Sequence, residues 1–447
     1  MSEPLQFDLL LIGFTVLTID AEMTVLHNAA VGVAEGRVTW MGPTAQLVNH
    51  TAARRRYLSG RVTCPGFVNV HAHAILTMVR GVAEDLGFAP AYTLGIPHGR
   101  DVTPEDAMAP SRLGAVEALL FGSTLITDTH VHADVTLPGM AALGGRVYSC
   151  GRIHDADFSS VGNGRWEHRP DIGQATLGTA VDLAERWHGA HGGRCDVQLS
   201  AHAPDTCPEA FLQQTSKIAR KMDLRVNTHQ AKCLTEVTQV GRRSGLTPTR
   251  LPEEVGLLSD GLIAAHCIHM DAADITRCGR AGIHVAHVPK GNATSGTMVP
   301  TSALRRAGVH ITLGSDNMHA DLIEVMLWAL AAGRLQKSPV DDFRQPSDVS
   351  GMATIDGARA MGLDHRIGSL ELGKQADIVV LDFRRPHFVP CENALGNLVD
   401  VVQGRDVEYV FVDGDQVVHD SRPVYADLYK LLADASRASQ SLWQGAR

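Results

Sequence analysis

The chain has 447 residues, of which 44% are hydrophobic and 20% charged, so it can bury a sizeable core and does not read as a disordered polymer. Its 40 basic and 49 acidic side chains leave a net charge of −9, which excludes the basic stripe that a phosphate backbone requires and argues against nucleic acid as a partner. Eight cysteines without a Cys-x-x-Cys pair exclude a zinc knuckle and a dense disulfide framework, and fit a reduced, cytoplasmic setting.

The first twenty residues contain an apolar stretch, yet it is preceded by Glu3 and Asp8 where a leader would carry basic residues, and Gly13 and Thr15 interrupt it. The segment therefore reads as a strand, neither an export signal nor a membrane span. Strand-like alternation covers residues 9–19, 29–34 and 37–41, the last two joined by a Glu35-Gly36 turn. It returns at 377–383, 407–412 and 416–418, with Asp413-Gly414 as a turn. Two strand-rich ends predict one small composite β-sandwich built from residues 1–62 and 366–424.

Residues 63–365 alternate apolar runs of strand length with amphipathic stretches, the pattern of parallel βα units. Eight runs qualify: 67–73, 124–130, 146–154, 197–202, 225–229, 262–266, 283–287 and 310–316. After the last, Leu322, Val325, Met326, Ala329 and Leu330 share one face at helical spacing. The expectation is an α/β fold, a (β/α)8 TIM barrel, followed by a surface helix over 425–447 that is free to pack on a neighbour. Every run ends in a histidine or an aspartate, and a barrel gathers those C-terminal ends around the mouth where its active site lies.

The first run closes on His71-Ala72-His73. Strand residues two apart point the same way, roughly 7 Å apart, so the two imidazoles can converge on one metal while Ala72 faces away. This motif, with Met78-Val79-Arg80-Gly81 after it, belongs to a longer series: His202-Ala203-Pro204, Asn227-Thr228-His229, Ala265-His266-Cys267, Ala286-His287-Val288-Pro289, Leu313-Gly314-Ser315-Asp316 and Gly373-Lys374-Gln375-Ala376-Asp377-Ile378. The series resembles the amidohydrolase superfamily, in particular its branch of cytosine, guanine and adenosylhomocysteine deaminases and triazine hydrolases, over essentially the whole chain.

The resemblance implies one divalent ion, Zn²⁺ or Fe²⁺ with zinc preferred, held by His71, His73, His229 and Asp316. Strand four lacks the lysine that two-metal relatives carboxylate. Three neutral imidazoles and one carboxylate leave a position open for water, whose pKa zinc can lower to about 7. By the same resemblance Asp316 is both ligand and general base, His266 polarises the attacking water, and His202, His287 and more loosely His269 contact the substrate. His130 and His132 could line the pocket or serve only the core.

The departure is His229-Gln230-Ala231-Lys232, where deaminases of this branch carry His-x-x-Glu to shuttle a proton to the ring nitrogen. An ammonium cannot accept that proton. Lys232 either enters the pocket and stabilises charge on substrate, or turns outward and pairs with Glu236 four residues on. Asp205 and Asp155 are candidate substitutes for the missing acid, whereas Glu84-Asp85 reads as a charged loop. The loop over 81–101 is long enough to act as a lid, and Phe88, Tyr92, Trp166 and Trp328 could form an aromatic wall in a chain with only 5% aromatic residues.

The expected function is metal-dependent hydrolysis of C–N bonds: deamination of a nitrogen heterocycle or, given Lys232, hydrolysis of an amide, urea or cyclic amide. A third reading is a barrel that has lost catalysis and only binds, against which stand all four ligands. The expected partner is a small molecule, with no membrane, and the resemblance implies a homodimer or higher homo-oligomer.

Overall fold

A computed structural model describes residues 4–82, 102–317, 319–336 and 344–445. The chain opens with β1 (Leu5–Leu17), β2 (Val25–Ala34), β3 (Arg37–Pro43), β4 (His50–Tyr57) and β5 (Arg61–Pro65). The barrel strands follow: β6 (Phe67–His73), β7 (Ser123–His130), β8 (Arg146–Ile153), β9 (Cys195–Ala201), β10 (Val226–Gln230), β11 (Leu262–His266), β12 (His284–His287), β13 (His310–Leu313) and β14 (Asp316–Asn317). The chain then returns through β15 (Ile378–Asp382), β16 (Val407–Val412), β17 (Asp415–His419) and β18 (Arg422–Pro423).

The strands of both termini join in one nine-stranded sheet ordered β18-β17-β16-β15-β5-β1-β2-β3, with β4 also paired to β1. β1 is its spine because its alternation is apolar on both sides. Leu9 and Leu11 pack with Val31, Val33 and Phe411, while Leu10 and Ile12 pack with Phe7 and Ala30. The edge strand β4 carries Arg54, Arg55 and Arg56 and is largely exposed, so it gives little hydrophobic signal in the sequence.

The second sheet runs β6 to β13 in sequence order, with β14 against β6. The first seven expected runs each match one parallel strand, but the eighth divides. β13 stops at Leu313, and β14 pairs Asp316 with Ala72 and Asn317 with His73. Gly314 permits this: a Cβ there would stand 2.9 Å from both the Cβ and the carbonyl oxygen of His71. Asp316 thus arrives between the two histidines of β6, in the left-handed region at φ 64°.

Below the barrel, Arg146 at the start of β8 is buried and makes two 2.9 Å bonds to Asp377, with a further pair to Asp413. This ties barrel to terminal sheet and gives the Gly373-to-Ile378 motif a physical role. The helix Leu428–Gly445 packs on its own chain rather than standing free, against helix Pro104–Leu120 and the turn Ala74–Val79, with Trp443 Nε1 donating to Met78 O at 3.0 Å. Among the described residues no helix is long and apolar enough to cross a membrane.

Candidate active site

His71 and His73 project from the end of β6, His229 from β10 and Asp316 from β14. One ligand atom from each lies within 4.8 Å of all the others. Asp316 Oδ1 is 3.6 Å from His71 Nε2 and 3.4 Å from His73 Nε2, and the Nε2 atoms of His73 and His229 are 3.2 Å apart.

The outer ring nitrogens determine what those inner atoms are. His73 Nδ1 faces Thr129 O at 2.8 Å, His229 Nδ1 faces His202 O at 2.7 Å, and His71 Nδ1 faces Asn227 Oδ1 at 2.9 Å. Carbonyl oxygens only accept, so each Nδ1 carries the hydrogen and each neutral ring turns its Nε2 lone pair inward. His71 Nε2 is buried and has no hydrogen-bond partner among the described residues. Three converging lone pairs and a carboxylate fit a cation.

Burial pushes His73 and His229 toward the neutral form. It lowers His73 to about 4, with the neighbouring His71 adding to the effect, and lowers His229 well below the ordinary histidine range. Burial would raise Asp316, but the surrounding His71, His266 and His73 outweigh it and hold its carboxyl well below the usual value.

Around this group stand the other strand-end histidines. The His266 ring is 5.5 Å from His229 and 6.0 Å from His71; its backbone is left-handed at φ 75°, its Nδ1 is 3.3 Å from Asn292 Oδ1, and burial lowers it to about 4. His202 lies 4.9 Å from His229 and binds Thr206 Oγ1 at 2.8 Å through Nδ1. His287 is buried, neither ring nitrogen has a hydrogen-bond partner among the described residues, and burial takes it to about 3. His269 is half-buried in the loop past β11, where only desolvation lowers its pKa, and among the described residues its side chain joins none of these rings. His130 accepts from His132 N, while the His132 ring turns to Val102 O.

Lys232 follows neither expected course. Its ammonium pairs with Glu236 as the spacing suggests, at 3.3 Å, but the pair is buried, and Asp205 closes on the same nitrogen at 3.1 Å. The side chains of Asp205 and Glu236 are 0% exposed and that of Lys232 is 2% exposed, so this is an internal ion triad and not a surface pair. Glu236 also accepts from the backbone N–H groups of Ala231 and Lys232, and Trp166 Nε1 donates to Asp205 at 3.3 Å. Burial raises Glu236, against the attraction of Lys232. Asp155 is held by His168 at 2.7 Å.

The residues that sequence reasoning passed over are Asn69, Asn227 and Asn292, which hold site groups through their amides. Their signal is position: Asn69 and Asn227 each stand two residues before a histidine ligand candidate on the same strand. Phe88, Tyr92, Glu84 and Asp85 and most of the 81–101 loop lie outside the described residues, and Trp328 is half-buried on helix Leu322–Leu335.

The sequence profile described as the amidohydrolase family matches residues 62–417. The 5-methylthioadenosine/S-adenosylhomocysteine deaminase of Desulforudis audaxviator is 33% identical over 420 residues, covering 92% of this chain and 94% of that one. The 5'-deoxyadenosine deaminase of Methanosarcina mazei is 29% identical over 444 residues, covering 97% and 98%. The solved structure of an adenosine deaminase from Xanthomonas campestris with bound zinc superposes with a TM-score of 0.89 at 26% identity, over 99% of this chain and 100% of that one.

Proposed function

The chain belongs to the amidohydrolase family, and from that membership together with its site geometry we propose that it hydrolytically removes the amino group of a nitrogen heterocycle, an adenine nucleoside or close analogue, with a bound metal ion. The observation that carries this reading is the convergence of three inward lone pairs and one carboxylate within 4.8 Å, in a relative of proteins named as deaminases of adenine nucleosides.

His71, His73, His229 and Asp316 would hold a single divalent ion, zinc in this reading, since imidazole with carboxylate suits it and the Xanthomonas campestris structure contains it. When bound, such an ion supplies Lewis acidity that brings the pKa of water to about 7. Asp316, ionised at neutral pH, accepts a proton from the attacking water and returns it to the departing nitrogen. The water oxygen bonds to the ring carbon, the C–N bond breaks and ammonia leaves. His266 stays neutral and orients the water through its inner nitrogen, while His202 and His287 offer ring nitrogens to the heterocycle.

Lys232 favours a second reading. With its ammonium enclosed by Asp205 and Glu236, position 232 offers no carboxyl to protonate a ring nitrogen, and hydrolysis of an amide, urea or cyclic amide requires none. The test measures metal content and then ammonia release from adenosine, 5'-deoxyadenosine, 5'-methylthioadenosine, guanine, pterins and triazines, beside ring opening of cyclic ureas. Ammonia from an adenine nucleoside is expected; ring opening without ammonia selects the second reading; a fully metallated protein inert to both classes refutes each.

A further inference from the structure

Beneath the proposed metal ligands lies a second layer of inward side chains. Asn227 stands two residues before His229 on β10, and the strand period sends both to the same side. Its side chain is fully buried and bridges to β6: Nδ2 donates to Val70 O at 3.1 Å, and Oδ1 lies 2.9 Å from His71 Nδ1. The Val70 carbonyl can only accept, so it fixes which end of the amide is nitrogen. Oδ1 must then face His71, and His71 must carry its hydrogen on Nδ1. The other tautomer would set two acceptors against each other at the outer nitrogen and turn an N–H into the cluster, removing one ligand. Asn69 on β6 forms a parallel clamp, accepting from Ser315 N at 3.1 Å and donating to Ser315 Oγ at 2.8 Å, one residue before Asp316.

We propose that Asn227 is a positioning residue for the metal centre: through the Val70 carbonyl it locks His71 in the Nδ1–H tautomer and at the rotation that keeps Nε2 inward, so the cluster is preorganised for a cation before one arrives. This rests on the metal-centre reading above. It differs from a packing role because the amide's polarity, and not its volume, does the work.

The experiment compares wild type, Asn227→Leu and Asn227→Asp. Zn²⁺ dissociation constants are read by chelator competition on the full chain, beside the melting temperature of the metal-free protein. Leucine keeps the volume but removes the acceptor, and about 10- to 100-fold weaker Zn²⁺ binding is expected. Aspartate keeps an acceptor for His71 Nδ1 and should recover most of that loss, even with a lower metal-free melting temperature from its carboxylate facing Val70 O. Unchanged Zn²⁺ binding in Asn227→Leu, or equal losses in both variants, overturns the proposal. A wild-type protein that binds no Zn²⁺ overturns the metal-centre reading itself. Should a variant not fold, ring ¹⁵N shifts of His71 in metal-free wild type, assigned by comparison with His71→Gln, decide the matter: hydrogen on Nδ1 is expected, and hydrogen on Nε2 refutes it.

Discussion

Replacing Lys232 by methionine tests what its ammonium is for. The nitrogen lies 3.1 Å from Asp205 Oδ1 and 3.3 Å from Glu236 Oε2, with all three side chains at or below 2% exposure. At an effective dielectric constant of about 20, each contact carries roughly 5 kcal/mol of attraction, set against a desolvation penalty of several kcal/mol for each ion. Removing only the cation leaves two buried carboxylates with their desolvation uncompensated, so Lys232→Met should lose about 3–5 kcal/mol. The loss has a definite pH dependence. Burial already raises Glu236, and without Lys232 it rises further. A carboxyl whose folded pKa exceeds the unfolded value of about 4.3 binds its proton more tightly when folded, so its penalty grows as pH rises through that window. The gap between wild type and variant should therefore be wider at about pH 8 than at about pH 5. Urea unfolding followed by tryptophan fluorescence at both pH values, with kcat and KM on the same preparations, is the assay. Unchanged midpoints with a raised KM would refute the reasoning and place Lys232 on the substrate.

Three further outcomes follow from the geometry. Arg146→Met leaves the buried Asp377 without its two 2.9 Å bonds and should cost about 3–5 kcal/mol in urea unfolding, while Zn²⁺ content of the folded fraction is retained. Gly314→Ala drives a methyl to 2.9 Å from the His71 backbone; about 1–3 kcal/mol of strain is expected, with weaker Zn²⁺ binding in chelator competition because His71 and Asp316 are pushed apart. His287 is lowered to about 3 by burial, so the unfolded chain binds its proton first as pH falls below about 6.5. Stability tied to His287 is then whole above that pH and lost on acidification, on the order of 3 kcal/mol by about pH 4. His287→Phe should shallow the acid limb of a stability-against-pH curve.

The barrel was legible because strand periodicity and chemistry coincide: runs ending in His73, His202, His229 and His266 declare both the strand and the end at which it opens. The division of the last strand at Gly314 was not, since it follows from contact with His71, 243 residues earlier in the chain (314 − 71). β4 stayed hidden because an exposed edge rich in arginine carries no apolar alternation. Half of the Lys232 triad was readable, as Glu236 is four residues on, but Asp205 comes from beyond β9, 27 residues back, and its approach makes the pair internal. Asn227 and His71 are separated by 156 residues, so a local motif cannot reveal that one sets the hydrogen of the other.

These features together constrain how the site meets what it receives. His73, His202, His229, His266 and His287 are all pushed by burial toward the neutral form, and three of the inner rings already spend their Nδ1 hydrogens on carbonyl oxygens. Lys232, the cation nearest the departure from the family pattern, is neutralised by two carboxylates. The inner imidazoles therefore act through hydrogen bonds, while formal positive charge reaches them from Arg152, which lowers His73 and His202, and from Arg344, which lowers His287. Neutral imidazoles can exchange hydrogen bonds with the ring nitrogens of the proposed heterocycle. A bound divalent ion would outweigh the single Asp316 carboxylate, so it is the pattern of hydrogen bonds, and not net charge, on which this lining selects.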